Sequence, residues 1–191
     1  LKEKAPSQEE VASMSIQSRI IRAARLDPGL YEEVEADTGA MSQAMSIVVL
    51  ASIASGIGMI ERVGIGGLVV GTLAALLGWY IWAYLAYLIG TKLLPEPQTQ
   101  ADFGQLLRTT GFSSSPGLIR VFGIIPGLTG IVFFVAAIWM LVAMVIAIRQ
   151  ALDYKSTLRA VGVCVIGWII QALFLAFLFT VLGGISGVPS S

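Results

Sequence analysis

Polar and apolar positions fall in long blocks along this chain. Gly64 to Gly90, Val121 to Ile148 and Ala160 to Ser191 run for 27, 28 and 32 residues without an Asp, Glu, Lys or Arg, and about 20 apolar residues suffice to cross a bilayer. These blocks predict transmembrane helices over about 66–90, 128–148 and 160–182. Ala44 to Ile60 is an uncharged run of 17 residues closed by Glu61 and Arg62; it lies near the lower limit for a span and predicts a helix over about 44–60. A further stretch, about 109–125, has the length but carries Pro116, Arg120 and several Ser and Gly.

The first forty residues follow a different pattern, holding eight of the twelve acids between Glu3 and Asp37. Ser7 and Glu10 have capping-box spacing, which predicts a helix from about Gln8 to Leu26. On it Met14, Ile16, Ile20, Ile21 and Leu26 interleave with Arg19, Arg22 and Arg25. Such a basic amphipathic surface suits an anionic headgroup layer and equally suits packing on the protein's own cytoplasmic loops. Asp27-Pro28 restarts the chain as a second helix, Pro being favoured at the first helical position, with Gly39 expected to end it. Residues 1–42 thus read as a cytoplasmic or interfacial segment and 43–191 as the transmembrane domain. No signal-peptide pattern is visible in these polar residues, so the first span is expected to act as the insertion signal.

Charge decides the fifth stretch. Basic residues accumulate in cytoplasmic loops. With five spans and the N-terminus inside, ten of the twelve basic residues lie on the cytoplasmic side: Lys2, Lys4, Arg19, Arg22, Arg25, Lys92, Arg108, Arg149, Lys155 and Arg159. Arg62 falls outside and Arg120 within the membrane. If 109–125 did not cross, Arg149, Lys155 and Arg159 would move to the outer side. The expected fold is therefore an all-α polytopic bundle of five transmembrane helices, N-in and C-out, with amphipathic N-terminal helices. A multi-pass protein of a cell membrane follows, with the bacterial cytoplasmic membrane as the expected location.

Composition narrows the chemistry. Only 13% of residues are charged, 56% are hydrophobic, histidine is absent and Cys164 is the single cysteine. One cysteine forms no disulfide within the chain, and without histidine the usual His/Cys zinc sites, a His-ligated haem and a His-based triad have no ligands or base. Neither a catalytic residue nor a cofactor is expected. Cys164 lies inside the last span as a small packing residue, and Asp153 or Ser156 is expected to cap the helix that contains it.

Small residues recur at four-residue spacing, with Ser52 and Gly56 in the first span and Gly67, Gly71 and Ala75 in the second. They predict close helix packing, which drives association where lipid supplies no hydrophobic force. Trp79, Tyr80, Trp82, Tyr84 and Tyr87 crowd the end of the second span; Tyr84 and Tyr87 read as interfacial, and Trp79 and Trp82 as deeper packing residues. The amphipathic run from Phe103 through Leu106 and Leu107 predicts a helix before the chain turns inward. Arg120 is costly in a membrane; it is expected to be an anchor bonded to Glu61 and to carbonyls freed by Pro116 and Pro126, or else a contact for a lipid phosphate, substrate or partner.

The segment LDPGLYEEVEAD, Leu26 to Asp37, the run FGQLLRTTGFSSSPGLIRVFGIIPGLTG, Phe103 to Gly130, and ALDYKSTLRAVGVCVIGW, Ala151 to Trp168, in this order among the spans, resemble the Yip domain family, and its small prokaryotic members most. The resemblance covers about 19–179 and implies a five-span bundle with a cytoplasmic N-terminus. Eukaryotic founders of that family bind Rab-type GTPases and carry an Asp-Leu-Tyr-Gly-Pro motif before the spans; LDPGLY here departs from it. The resemblance supplies no catalytic residues. The expected function is that of a non-enzymatic accessory or scaffold protein packing against other membrane proteins, with a small-molecule or ion transporter as the alternative. The expected partners are membrane lipids and other integral membrane proteins or further copies of this chain, with no nucleic acid.

Overall fold

A computed structural model describes residues 15–185, so the Ser7 to Glu10 capping box and the start of the first predicted helix lie outside the described residues. All regular elements among the described residues are helical. Helix α1, Ile16–Ala24, starts at Ser15, whose hydroxyl accepts from the Ser18 amide at 3.3 Å. A turn through Leu26 at φ 62° leads to α2, Pro28–Ala36, capped by Asp27 through the Gly29 amide at 3.0 Å. This is the predicted Asp-Pro restart. The helix ends before Gly39, which sits in a 3₁₀ turn over Thr38–Ala40 whose amide is held by the Asp37 carboxylate.

Helix α3, Met41–Gly58, and helix α4, Ile60–Leu88, form an antiparallel pair. α4 is interrupted at Gly64, with φ 62° and ψ −175°, a conformation that glycine adopts without the steric penalty of a Cβ. A π-helical turn, Ile89–Leu93, ends it. Helix α5, Phe103–Phe112, opens on a capping box between Asp102 and Gln105. It places Phe103 against Tyr80, Tyr84 and Tyr87 at ring separations of 5.0, 5.6 and 6.5 Å. α5 gives way at Ser113 to a 3₁₀ helix, Ser115–Ile124. Helix α6, Thr129–Ala151, and helix α7, Thr157–Ile185, complete the bundle; Ser156 caps α7 by accepting from the Arg159 amide.

Among the described residues, four helical segments are long and apolar enough to cross a membrane: Thr38–Gly58, Ile60–Leu93, Thr129–Ala151 and Thr157–Phe174. The stretch around 109–125 is not the single transmembrane α-helix expected. Pro116 supplies no amide hydrogen, so the α-helical ladder of α5 stops and the chain continues in the tighter 3₁₀ form.

Glycine contacts fix how this composite segment lies. A Cβ at Gly111 would sit 2.8 Å from Ala44 Cβ, one at Gly117 3.4 Å from Ala51 Cβ, and one at Gly123 3.0 Å from the Gly58 carbonyl oxygen. Ascending numbers match ascending numbers, so residues 103–124 run parallel to α3 along its whole length, with α4 and α6 antiparallel to both. One end of the bundle gathers the α1–α2 hairpin, the α4–α5 loop and the α6–α7 loop. Gln150 donates to Glu32 at 2.7 Å, and Glu96 accepts from the Lys155 and Ser156 amides at 3.0 and 3.2 Å. The other end gathers Met59 to Arg62 with Gly123 to Gly127. The core sits toward the first end. One cluster there includes Ala83, Ala86, Leu106, Ile148, Leu152 and Val163, and a second includes Leu30, Tyr31, Val34, Ile47 and Phe112.

Candidate functional site

Two groups of polar side chains stand out against this apolar scaffold. The first surrounds Arg120, carried by the 3₁₀ helix. After the Gly64 break one face of α4 is exposed, through Ile65, Val69, Val70, Leu73 and Leu77. A groove of about 340 Å³ opens between α4 and α3. Ser52 and Gly56 lie at the α3–α4 contact: the Ser52 hydroxyl donates to Thr72 Oγ1 at 3.3 Å, and a Cβ at Gly56 would meet Leu68 at 2.8 Å. Gly67, Gly71 and Ala75 line the groove, and a Cβ at Gly71 would meet nothing within 4 Å. Ser52 and Gly56 of α3 therefore serve packing; on α4 Gly67 is tight against Val63, 2.7 Å from where its Cβ would lie, and Gly71 leaves the groove clear.

Arg120 lines this groove and also a second cleft, of about 380 Å³, bounded by Trp82, Phe134, Met140, Met144 and Trp168. Its guanidinium carbon stands 5.4 Å from the centre of the Phe133 ring, an attraction between cation and ring quadrupole. Its Nε is buried without a hydrogen-bond partner. Glu61, the expected partner, is exposed and borders a separate cleft with Arg62, Gly123 and Pro126. No Arg120–Glu61 ion pair occurs among the described residues, and no carbonyl accepts from Arg120. The expected anchor is thus replaced by an aromatic face. The reason is direction: Glu61 follows the end of α3 and points outward at the bundle rim, whereas the Arg120 side chain turns back between the helices.

Trp79 and Trp82 have packing roles. The Trp79 indole N–H is shared between the Leu107 carbonyl at 3.1 Å and Thr110 Oγ1 at 3.2 Å; Trp82 donates to Met144 Sδ at 3.3 Å. Cys164 is buried in the core.

The second group joins the N-terminal hairpin to the bundle. Arg19 is 1% exposed, and each of its three nitrogens donates inside the protein: Nε to Glu33 at 2.9 Å, one terminal nitrogen to Asp37 at 2.8 Å and the other to Gln43 at 3.0 Å. Arg22 pairs with Asp27 at 2.7 Å and with Glu33, and this hydrogen bond holds the Asp27 carboxyl below its usual range. Arg25 is exposed. The three arginines expected to face headgroups therefore divide, with Arg19 and Arg22 turned inward because acids on α2 and in the turn after it offer charge-assisted bonds.

Sequence reading missed Arg108 as a structural residue. From α5 it donates to the Val34 carbonyl at 2.9 Å and to the Glu35 carbonyl, placing a cation on the last turn of α2, where the helix dipole favours it. Trp139 likewise caps α1 by donating to the Ala24 carbonyl at 2.8 Å. Glu35 is pushed up to about 7 by burial, reinforced by Asp153 and other nearby acids. The buried Tyr31 hydroxyl, also without a partner, is raised well above the usual phenol value by burial.

A bundle of long uncharged helices without a cluster of metal-ligating side chains among the described residues defines the class: a polytopic α-helical membrane protein. The Yip1 domain family model matches residues 29–182, from the first turn of α2 into α7, and the chain belongs to that family. No curated protein and no solved structure matches the chain significantly.

Proposed function

We propose that this protein is a non-enzymatic accessory or scaffold subunit of a bacterial cytoplasmic membrane, crossing it five times with its N-terminus inside, and that it works by packing against other integral membrane proteins. The observation that carries the reading is the disposition of polar groups. Within the bundle Ser52, Thr72, Thr109, Thr110 and Ser113 are used in helix contacts or on nearby backbone carbonyls. A transport pathway would instead align several polar groups facing one another across a cavity. The apolar faces of α4 and of α7, where Leu173, Phe174 and Phe177 are exposed, supply contact surface within the membrane.

Support for a fifth crossing comes from the alignment with α3 and from the segregated ends. Residues 111–123 lie beside residues 44–58 of α3 from one end of the bundle to the other, and α3 belongs to a helical segment long and apolar enough to cross a membrane. With Cys164 replaced by alanine, Lys155→Cys should react with an impermeant maleimide only from the cytoplasmic face and Ile125→Cys only from the opposite face. Labelling of both from one side would remove the five-span topology.

Purification of the tagged chain in mild detergent tests the function. A membrane protein recovered at stoichiometric yield supports the scaffold reading. A solitary protein stabilised by one small solute, with no such companion, would replace it with transport.

A further inference from the structure

Arg120 combines three features on which the scaffold reading does not depend. Among the described residues its side chain makes no ion pair and no hydrogen bond, and its Nε is out of contact with solvent. Phe133 covers one face of the guanidinium, leaving donors that need an acceptor in a medium where unmet polar groups are costly. The same side chain lines a groove whose other walls are helical backbone and small or apolar side chains, chiefly Gly67, Gly71, Ala75 and Met140.

The placement of the charge in that groove identifies the missing acceptor. The Arg120 backbone lies against Gly58, the last residue of α3, so the cation belongs to the end of the bundle where α3 turns into α4. From there the groove follows α4 from Val63 to Trp79, about 24 Å at helical rise and longer than half of the roughly 30 Å hydrocarbon core. With the Arg120 backbone at that end and a channel of apolar and small side chains, Ser52, Ser55 and Ser114 among them, running from there along α4, the layout matches a lipid headgroup followed by an acyl chain. At about 340 Å³ the groove falls within the size range of ligand pockets. A guanidinium offers phosphate two parallel donors. Glu61, the nearest acid in sequence on that side, lines a different cleft.

We propose that this groove binds one anionic phospholipid, its phosphate held by Arg120 and one acyl chain lying along Gly67, Gly71 and Ala75 of α4.

The test uses the full chain in a neutral detergent, with thermal unfolding read as phosphatidylglycerol, phosphatidylcholine of the same acyl chains, or glycerol phosphate is added. Phosphatidylglycerol should raise the midpoint and the other two should not. Arg120→Gln should weaken the phosphatidylglycerol response at least about tenfold in concentration, the loss expected for a hydrogen-bonded charge pair. Gly71→Leu, whose Cβ meets nothing within 4 Å, should weaken it as well by filling the channel. Arg62→Gln, at the same end but outside the groove, should leave it unchanged. Should Arg120→Gln fail to fold, Gly71→Leu decides alone. Equal stabilisation by the two lipids would overturn the proposal, and so would a response to glycerol phosphate matching that to phosphatidylglycerol, which would mean a free-anion site. A phosphatidylglycerol response that survives Arg120→Gln or Gly71→Leu would overturn it too.

Discussion

Replacing Gly58 with alanine is expected to destabilise the bundle by about 2–3 kcal/mol or more, the upper part of the range for overpacking a filled interior. An added Cβ at this position would run into the carbonyl oxygen of Arg120, with the Phe133 ring 3.1 Å away on another side. The obstruction is backbone, so no rotamer change relieves it; either α3 must move away from the 3₁₀ helix or that helix must unwind. The same contact also holds Gly123, where a Cβ would meet Phe133 at 2.8 Å, so strain at Gly58 spreads to the turn before α6. Gly71→Ala is the matched control. Its Cβ meets nothing within 4 Å, and removing glycine from a helix interior is worth about 0.5–1 kcal/mol in the stabilising direction. Unfolding in graded denaturing detergent should move the two variants in opposite directions. Equal midpoints would mean that α3 and the 3₁₀ helix are not in close contact in the membrane.

This pair of substitutions also marks where sequence pattern stopped being informative. Uncharged runs predicted the helices around 66–90, 128–148 and 160–182 because exclusion of charge is a one-dimensional constraint imposed by lipid, and Gly64 falls where the second span was expected to begin. The helix at Phe103 was legible from the amphipathic spacing of Phe103, Leu106 and Leu107, and the Asp27-Pro28 restart because capping chemistry is local. The parallel alignment of residues 103–124 with α3 was not. Gly58, Gly111, Gly117 and Gly123 show no four-residue repeat, because three of them lie on a segment that changes from α to 3₁₀ geometry and so loses the 3.6-residue period. The regular spacing of Gly67, Gly71 and Ala75 drew attention to α4, where the structure uses it to line a groove.

Charges were legible in number and not in direction. Counting basic residues predicted which loops share a side; in the structure Gln150 donates to Glu32 and the Lys155 amide to Glu96 at one end of the bundle. Counting could not tell whether Arg120 meets Glu61 or Phe133, because the choice depends on the rotation of the helix about its axis. The same ambiguity applied to α1. Arginines spaced along an amphipathic helix look alike whether they face lipid phosphate or carboxylates brought back by a turn, and the turn at Leu26 decides it.

Arg19→Met should accordingly damage the fold rather than membrane attachment. The native guanidinium is 1% exposed and satisfied in three directions, by Glu33, Asp37 and Gln43. Its loss leaves Asp37 without its cation, Gln43 without its donor and Glu33 with Arg22 alone. Breaking a buried pair costs about 3–5 kcal/mol; with Glu33 14% and Asp37 28% exposed, water recovers part of this, and about 3 kcal/mol is expected. Arg19→Lys should restore little, since one ammonium on a flexible stem cannot serve a planar three-way arrangement. Arg25→Met, at an exposed position, should stay within about 0.5 kcal/mol of the parent. Because Arg19 joins α1 both to α2 and to the start of α3, the hairpin should open, and trypsin should cut after Arg22 and Arg25 much faster in Arg19→Met than in the parent. A role on anionic headgroups predicts the reverse pattern: unchanged unfolding and proteolysis, with salt-sensitive loss of vesicle binding shared by Arg19→Met and Arg25→Met. The burial of Arg19 beside two carboxylates makes the first pattern the expected one.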